Sequence, residues 1–467
     1  MEKIIVDYSF ALKQMAKEKE KVSISTFRKH ASLVYKAIDT LADLRSKGTV
    51  GFTNLHLNTT GIEHTKKICN EAISWADTLV VVGIGGSSLG NKCVHMALNQ
   101  NCGYFKGKGA RRSKRVFILD NLCSSDVATL LSNLDMNKSL FNIISKSGTT
   151  MESIANFLVI YNQVQKQKKS DFHKHFIFTT TDGKGDLYNF SKETGITLLE
   201  IPENVGGRYS VLSPVGLFSA LFAGLNIDEL IEGSRFASEY CWEKSLEKNP
   251  AAVAALLYYL YFQIKVKNTN VFWAYSSALE GLCQWFCQLW AESLGKIQIK
   301  GNNKTHIGQT PLSVIGPRDQ HSLWQLFVVG PDDKFYSLLK IRHYPADMLI
   351  TGDVPHYDSF ATLQGSSMNN VVVSEQRAIE FVLAQRGRPY VSYEIETINE
   401  FQLGQLLYLL EFITALTGIM LEINPFDQPG VEDGKKMTYA LLNHPRYADK
   451  LEELQHLFSL YKSFKTS

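Results

Sequence analysis

The chain lacks the features that mark several large function classes. It has almost no excess charge: 49 Lys and Arg against 46 Asp and Glu leave +3 over 467 residues. That is far from the basic footprint of a nucleic-acid binder, so no nucleic-acid partner is expected. Its seven cysteines are an odd number with no C-x-x-C spacing, which argues against a thiolate zinc site or a disulfide framework. Cys69, Cys93, Cys102, Cys123, Cys241, Cys283 and Cys287 read instead as free thiols in a reducing compartment. The first residues, MEKIIVDYSFALKQMAKEKEK, have no apolar signal core, so the expected location is cytoplasmic. Two apolar runs need testing against a membrane. Residues 251–262 are too few to span one, and 406–421 are interrupted by Glu411. Both read as buried core helices, and no membrane partner is expected. No short-period repeat appears.

What is present is an alternation of strand-like and helix-like runs. A chain of this length exceeds one ordinary core. Its 45% hydrophobic and 20% charged content are globular values. Strand-like runs at Thr78–Val82, Arg115–Asp120, Phe141–Ile144, Phe176–Phe178 and Ile196–Ile201 alternate with helical spacing. A second series offers Val271–Tyr275, Leu323–Val329, Phe335–Ile341 and Val371–Val373 as strands. The expected class is therefore α/β, with two doubly wound parallel sheets and helical N- and C-terminal segments. The division expected along the chain is a helical arm over 1–50 and a first, phosphate-binding α/β domain over 51–235. A second α/β domain over 236–430 and a helical segment over 431–467 complete it.

The most informative stretch is FNIISKSGTT, residues 141–150. A short apolar strand ends in Ser145, Lys146, Ser147, Gly148, Thr149 and Thr150, and helical spacing resumes at Met151. Hydroxyls, an ammonium, a turning glycine and a helix start together form a cup for a dianion. A Ser/Thr-capped strand–helix turn without a ligand has the same pattern. The loop Gly83–Gly90, GIGGSSLG, fails the dinucleotide pattern because Ser88 occupies the third glycine position. It reads as a second anion-binding turn around Gly86 and Ser87, or as an ordinary Gly-rich turn. In NVGGRYSVLS (204–213), Gly206 and Gly207 allow close backbone approach, and Arg208 adds a permanent cation. A surface Arg paired with a carboxylate is the plainer reading.

Gln288 and Glu292 are four residues apart and share one helix face, with Gly295 as a stop. A carboxylate there faces the negative end of the helix dipole, which suits a group that must take and return a proton. His321 in GPRDQHS brings an imidazole to the edge of an element. The turn NPFDQPGVEDGK feeds a helix and carries Gln428 and Lys435.

Together, GIGGSSLG (83–90), SKSGTT (145–150), NVGGRYSVLS (204–213), QLWAESLGK (288–296), GPRDQHS (316–322) and NPFDQPGVEDGK (424–435) resemble the glucose-6-phosphate isomerase family, in the family's order and over most of the chain. Asp433-Gly434, just before the lysine, is a small departure. The resemblance implies two sugar-isomerase (SIS) domains and a homodimer with shared active sites. It also implies reversible interconversion of glucose 6-phosphate and fructose 6-phosphate through a cis-enediol, with no metal and no cofactor. By resemblance Glu292 is the base, Arg208 steadies the enediolate, and His321 and Lys435 open the ring. His321 would come from the neighbouring subunit, and Glu152 would orient it. Gly86, Ser87, Ser145, Lys146, Ser147, Gly148, Thr149, Thr150 and Gly207 would hold the phosphate end, and Gln288 and Gln428 the sugar. A non-catalytic sugar-phosphate sensor would keep the cup and lose Glu292, His321, Lys435 and Arg208, all of which are present. Side activity on mannose 6-phosphate or an amino-sugar phosphate stays open.

Conversion of fructose 6-phosphate should survive exhaustive dialysis against a chelator and need no added nicotinamide. Loss on chelation, with recovery on adding a divalent metal, contradicts the metal-free reading.

Overall fold

The structure is a computed structural model that describes residues 2–14, 18–19, 21–98, 114–168, 171–461 and 463. Two units make up the chain, Met1–Pro425 and Phe426–Ser467. In the larger unit ten strands build two five-stranded sheets. In chain order they are β1 (Ile5–Asp7), β2 (Thr78–Val82), β3 (Arg115–Leu119), β4 (Ser139–Ile144) and β5 (Phe176–Thr180). Then follow β6 (Thr197–Glu200), β7 (Thr269–Ala274), β8 (Thr310–Ile315), β9 (Lys334–Ile341) and β10 (Tyr390–Ile395).

The first sheet has the order β3-β2-β4-β5-β6, and every pairing is parallel. The chain leaves β2 to one side for β3 and returns to the other side for β4. The topological switch therefore lies between β2 and β4, where open α/β sheets bind ligands at the strands' carboxyl ends. The second sheet runs β1-β10-β9-β7-β8 and repeats this order with β7 and β9 at the switch. Its inner pairings are parallel, while β1 joins β10 antiparallel with Ile5 opposite Glu394.

Alternation along the strands explains the layering. In the first sheet Leu79, Val81, Leu140, Ile144 and Ile177 face one cluster, and Val80, Val82, Phe141, Ile143 and Phe178 face another. Among the helices beside this sheet are α1 (Thr59–Ile73), α2 (Leu89–Leu98), α3 (Met151–Lys168) and α4 (Pro214–Phe222), and the helices Ser124–Ser132 and Gly185–Thr194 add Val127 and Leu187 to its second face. Ile68, Cys69 and Ala72 of α1 and Phe218 and Phe222 of α4 cover the first face. Phe157, Ile160 and Val164 of α3 cover the second. A strand buried on both sides reads as a continuous apolar run, which is why Thr78–Val82 is legible as TLVVV.

Further helices are α5 (Ile227–Cys241), α6 (Pro250–Gln263), α7 (Glu280–Leu294), α8 (Arg318–Val329), α9 (Met368–Gln385) and α10 (Glu400–Met420). Their starts follow capping chemistry. Ser213 accepts from the Val215 N–H before α4, Asn249 from Ala252 before α6, and Asn399 from Gln402 before α10. Pro214 and Pro250 sit in first turns, where their missing N–H groups cost nothing.

Two expected strands are helices. Leu323–Val329 lies inside α8, where Phe327 is buried and Leu323 and Trp324 pack into the same cluster. Leu326 and Val329 point to solvent. That run has a helix's stripe, not a buried strand's uniformity. Val371–Val373 lies inside α9, where Val372, Ile379 and Leu383 line one face and the β-branched composition is overridden by packing. Unread in the sequence are β1, β8 and β10 of the two sheets, the antiparallel pair Lys296–Lys300 and Asn303–Ile307, and the short pair Leu12–Lys13 and Val22–Ser23; β1 and that short pair make the arm over 1–50 less than wholly helical. Among the cysteines, Cys69, Cys93, Cys241 and Cys283 are buried free thiols, Cys123 and Cys287 are partly exposed, and Cys102 lies outside the described residues.

The smaller unit contains α11 (Glu432–Leu441) and a helix over Ala448–Ser459, with Tyr439 stacked on Tyr447 at 5.8 Å.

By length and composition α10 could cross a membrane, yet 94% of its apolar window is buried inside the protein. Glu411 sits within it, fully buried, and neither carboxyl oxygen has a hydrogen-bond partner among the described residues. Burial pushes its pKa well above the usual carboxylate range, so it is held protonated. The folded chain thus keeps a proton that the unfolded chain releases above about pH 4.3. Stability from this group is present at low pH and falls as pH rises, by about 1.4 kcal/mol per unit. Glu411→Gln should remove that slope. In urea melts from pH 5 to 8, the stability of the variant relative to wild type should climb steadily with pH. A constant difference would show that Glu411 is ionised in the native state.

Candidate active site

The site grows from the two loops at the switch point of the first sheet. After β4 the chain turns through Ser145–Thr150. The buried Ser145 hydroxyl lies 2.7 Å from that of Thr150 and accepts from the Thr150 N–H. Ser147 Oγ accepts from the Thr149 N–H and hydroxyl. The turn closes by a 3.0 Å bond from Gly148 N–H to the Ser145 carbonyl. Gly148 has φ +68°, and a side chain there would meet the backbone of Lys184 and Gly185 at about 3 Å. The turn delivers the chain directly into α3, whose N–H groups face the loop.

Lys146 is half-buried in this loop. Burial lowers its pKa below the usual lysine range; Glu203 opposes that shift, and Lys184 and Arg208 add to it. The last contribution matters for assembly. It puts the Arg208 guanidinium within electrostatic reach of Lys146 and its loop.

After β2, residues 85–87 form a short helical turn leading to α2. Gly86 lies against the Gly207–Arg208 peptide so closely that an added Cβ would stand 2.3 Å from the Gly207 carbonyl carbon and 2.7 Å from the Arg208 nitrogen. The neighbouring Gly85 faces the Gln288 side chain. Three of the segments singled out in the sequence therefore touch at this one point.

Arg208 is the centre of the cluster. It is 2% exposed, so it is buried and not a surface residue. Its Nη1 donates to Glu292 Oε2 at 3.1 Å, its Nε to Ser293 Oγ at 2.7 Å, and its Nη2 to the Pro425 carbonyl at 2.7 Å. Glu292 itself is about one-third exposed. Its other oxygen accepts from Gln288 Nε2 at 2.8 Å, the i, i+4 contact expected from their spacing on α7. Gln288 Oε1 is buried without a hydrogen-bond partner among the described residues. Chemically, this is a carboxylate open to solvent on one side, steadied by an amide and a fixed cation, beside a polar cup suited to an anion.

Not every expected residue joins the cluster. His321 is exposed in the first turn of α8 and takes no part in the hydrogen bonds described for Arg208 and Glu292. That turn is anchored by Asp319, which accepts from the Ile315 N–H at 2.8 Å, and by Gln320, which accepts from the Tyr275 hydroxyl at 2.7 Å. Glu152 is half-buried in the first turn of α3. Gln428 and Lys435 belong to the smaller unit. Gln428 precedes the turn Pro429–Val431, and Lys435 pairs with Glu432 at 2.8 Å inside α11. Two residues given no role from the sequence stand inside the cluster: Ser293 and Tyr209. Their only signal was adjacency to Glu292 and Arg208 within the quoted segments.

Comparison with known proteins gives consistent relatives. The family model described as phosphoglucose isomerase matches residues 67–457. The glucose-6-phosphate isomerase of Carboxydothermus hydrogenoformans is 36% identical over 439 residues, 94% of each chain. That of Thermus thermophilus is 34% identical over 83% of this chain and 89% of its own. Among solved structures, a Thermus thermophilus protein determined as a hypothetical protein superimposes with a TM-score of 0.82 at 32% identity, covering 90% of this chain and 96% of that one. A glucose-6-phosphate isomerase from Chlamydia trachomatis shares the fold, with a TM-score of 0.81 at 20% identity over 97% of this chain and 92% of its own.

The close packing at Gly86 can be tested directly. Gly86→Ala should destabilise the protein by about 1–3 kcal/mol, because backbone and not a yielding side chain blocks the methyl group. Urea denaturation measures this, and an unchanged midpoint would mean that the two loops do not meet as described.

Proposed function

The chain belongs to the phosphoglucose isomerase family, the aldose–ketose isomerases of glycolysis and gluconeogenesis that interconvert glucose 6-phosphate and fructose 6-phosphate, and we propose that it performs this reaction at the cluster centred on Arg208 and Glu292. The observation that carries the assignment of roles is the 3.1 Å contact between Arg208 Nη1 and Glu292 Oε2. It lies where the loops of the first sheet converge.

The phosphate dianion sits on Ser145, Lys146, Ser147, Gly148, Thr149 and Thr150, with Gly86, Ser87 and Gly207 lining the opposite wall. The ring opens with His321 and Lys435 as the proton-handling pair. In the open aldose, Glu292 takes the proton from C2. The C–H electron pair becomes the C1=C2 double bond, and the C1 carbonyl oxygen gains charge as the cis-enediolate forms. Arg208 stabilises that charge in a site where its orientation is already fixed. The O2 proton passes to O1, and Glu292 returns its proton to C1 as the C1=C2 pair closes on it, so O2 becomes the ketone oxygen and O1 the new hydroxyl. Gln288 holds Glu292 through one amide atom and offers Oε1 to a sugar hydroxyl. Gln428 is a further sugar contact. No step calls for a metal or cofactor.

The working form is a homodimer with shared sites, and the cell location is cytoplasmic. Two observations support the dimer. His321 stands exposed on α8, outside the bonds that hold Glu292. The stretch after β9 also presents Met348, Leu349, Tyr357, Phe360 and Met368 to solvent, an apolar surface that a second subunit would cover. The two sugar-isomerase halves span 51–235 and 236–430, the second sheet taking its edge strand β1 from the arm 1–50, and the segment 431–467 follows.

A single mixing experiment tests base and dimer together, using reduction of NADP by a coupled dehydrogenase to detect glucose 6-phosphate formed from fructose 6-phosphate. Glu292→Gln should lose about 100- to 10,000-fold in kcat while still binding substrate. His321→Ala should be inactive as well. Mixed under subunit exchange, the two should recover roughly a quarter of wild-type activity, since each heterodimer holds one intact composite site. Activity of Glu292→Gln within tenfold of wild type removes Glu292 as the base. No recovery despite measured exchange removes His321 from the neighbour's site.

A further inference from the structure

Two side chains without a role in the proposed reaction complete the surroundings of Arg208. Ser293 follows Glu292 in the last turn of α7 and is fully buried. Tyr209 follows Arg208 and is also fully buried. The Arg208 Nε–H can only donate, so Ser293 Oγ accepts it at 2.7 Å. The Ser293 hydroxyl lies 3.1 Å from Tyr209 Oη, and Tyr209 Oη donates to the Pro425 carbonyl at 3.4 Å. Either hydroxyl can donate across this 3.1 Å contact, and the two side chains are joined in both cases. Arg208 Nη2 reaches the same Pro425 carbonyl at 2.7 Å. The bonds close into a ring: Arg208 to Ser293, Ser293 to Tyr209, Tyr209 to Pro425, and Arg208 to Pro425.

A ring of this kind fixes more than position. A guanidinium is planar, and holding Nε and Nη2 by two separate partners sets its plane and its rotation. The remaining arm, Nη1, is then directed at Glu292. The Tyr209 ring, 5.5 Å from the guanidinium carbon, limits tilting from the side. Burial pushes the Tyr209 pKa up to about 12, so the phenol keeps its proton and its place in the ring across the working pH range.

We infer that Ser293 and Tyr209 are positioning residues for the isomerisation, which orient the Arg208 guanidinium against Glu292 so that cation and base meet the same two carbons of the sugar phosphate. This rests on the roles proposed for Arg208 and Glu292. Neither Ser293 nor Tyr209 need touch substrate. Their contribution appears when charge develops, because a cation free to rotate by an ångström costs much of the benefit of having it fixed.

The test is the steady-state kinetics of Ser293→Ala, Ser293→Thr and Tyr209→Phe, with thermal melting of each protein and Glu292→Gln as reference. Ser293→Ala should lose about 10- to 100-fold in kcat with KM for fructose 6-phosphate within about threefold of wild type. Ser293→Thr, which restores a hydroxyl, should recover kcat to within about fivefold of wild type. Tyr209→Phe breaks the same ring one bond further away and should show the same split with a smaller loss. It also carries the test if Ser293→Ala does not fold. If Ser293→Ala and Tyr209→Phe both turn over within twofold of wild type while Glu292→Gln is dead, the positioning role is wrong and the site reading stands. If Glu292→Gln is itself active, the site reading fails independently. Loss of kcat that tracks loss of melting temperature and is not rescued by threonine reduces Ser293 to a structural role and overturns the inference.

Discussion

A permanent positive charge sealed from water is the constraint around which this molecule is organised. Arg208 cannot shed its proton, and leaving a guanidinium buried without partners costs several kcal/mol. Its located partners come from far along the chain: Ser293 and Glu292 about 85 residues on, and Pro425 about 217 residues on. Satisfying one side chain therefore draws the end of α7 and the segment after α10 onto the loop edge of the first sheet. The same requirement explains why a glycine stands at 86. The Arg208 backbone must pass so close to the neighbouring loop that no side chain fits between them.

This arrangement divides the chemical work between the two sheets. On the proposed roles, the first would supply the anion cup through the carboxyl ends of β2 and β4, where the loop hydroxyls and backbone are held by hydrogen bonds. The second supplies the carboxylate, carried on the helix that follows β7. A rigid carboxylate and a rigid cup on separate halves meet only when both halves are folded and docked. On the proposed roles, activity would thus depend on the packing of the larger unit's cores.

Much of this was legible in the sequence, for identifiable reasons. TLVVV and FNII are short apolar runs because the strands are covered on both faces, and the loops behind them are rich in Ser, Thr and Gly because they end at a switch point. The i, i+4 spacing of Gln288 and Glu292 translated directly into a 2.8 Å bond. The failures have physical causes too. Leu323–Val329 and Val371–Val373 have strand-like composition, and only their partners in the folded core show that a helical stripe is being buried. The burial of Arg208 could not be read either, since an Arg after two glycines looks the same whether a carboxylate finds it at the surface or inside. Ser293 and Tyr209 were invisible for a related reason: a lone hydroxyl has no spacing signature, and its meaning lies in what packs against it.

The edge strand β1 ties the second sheet to the order of synthesis. Ile5–Asp7 closes that sheet by pairing with β10, roughly 390 residues further along the chain. During synthesis the first of these segments to leave the ribosome is the last to find its partner. At about 5–20 residues per second, that interval is on the order of 20 to 80 seconds. The first sheet can be complete by residue 200, well before β7 exists, whereas the N-terminal strand must wait unpaired until β10 has emerged. A segment carrying Ile4, Ile5 and Val6 is in that period an open edge, available to any other strand or to a chaperone. In the second sheet the strand that is made first is thus the one that can be laid down only last.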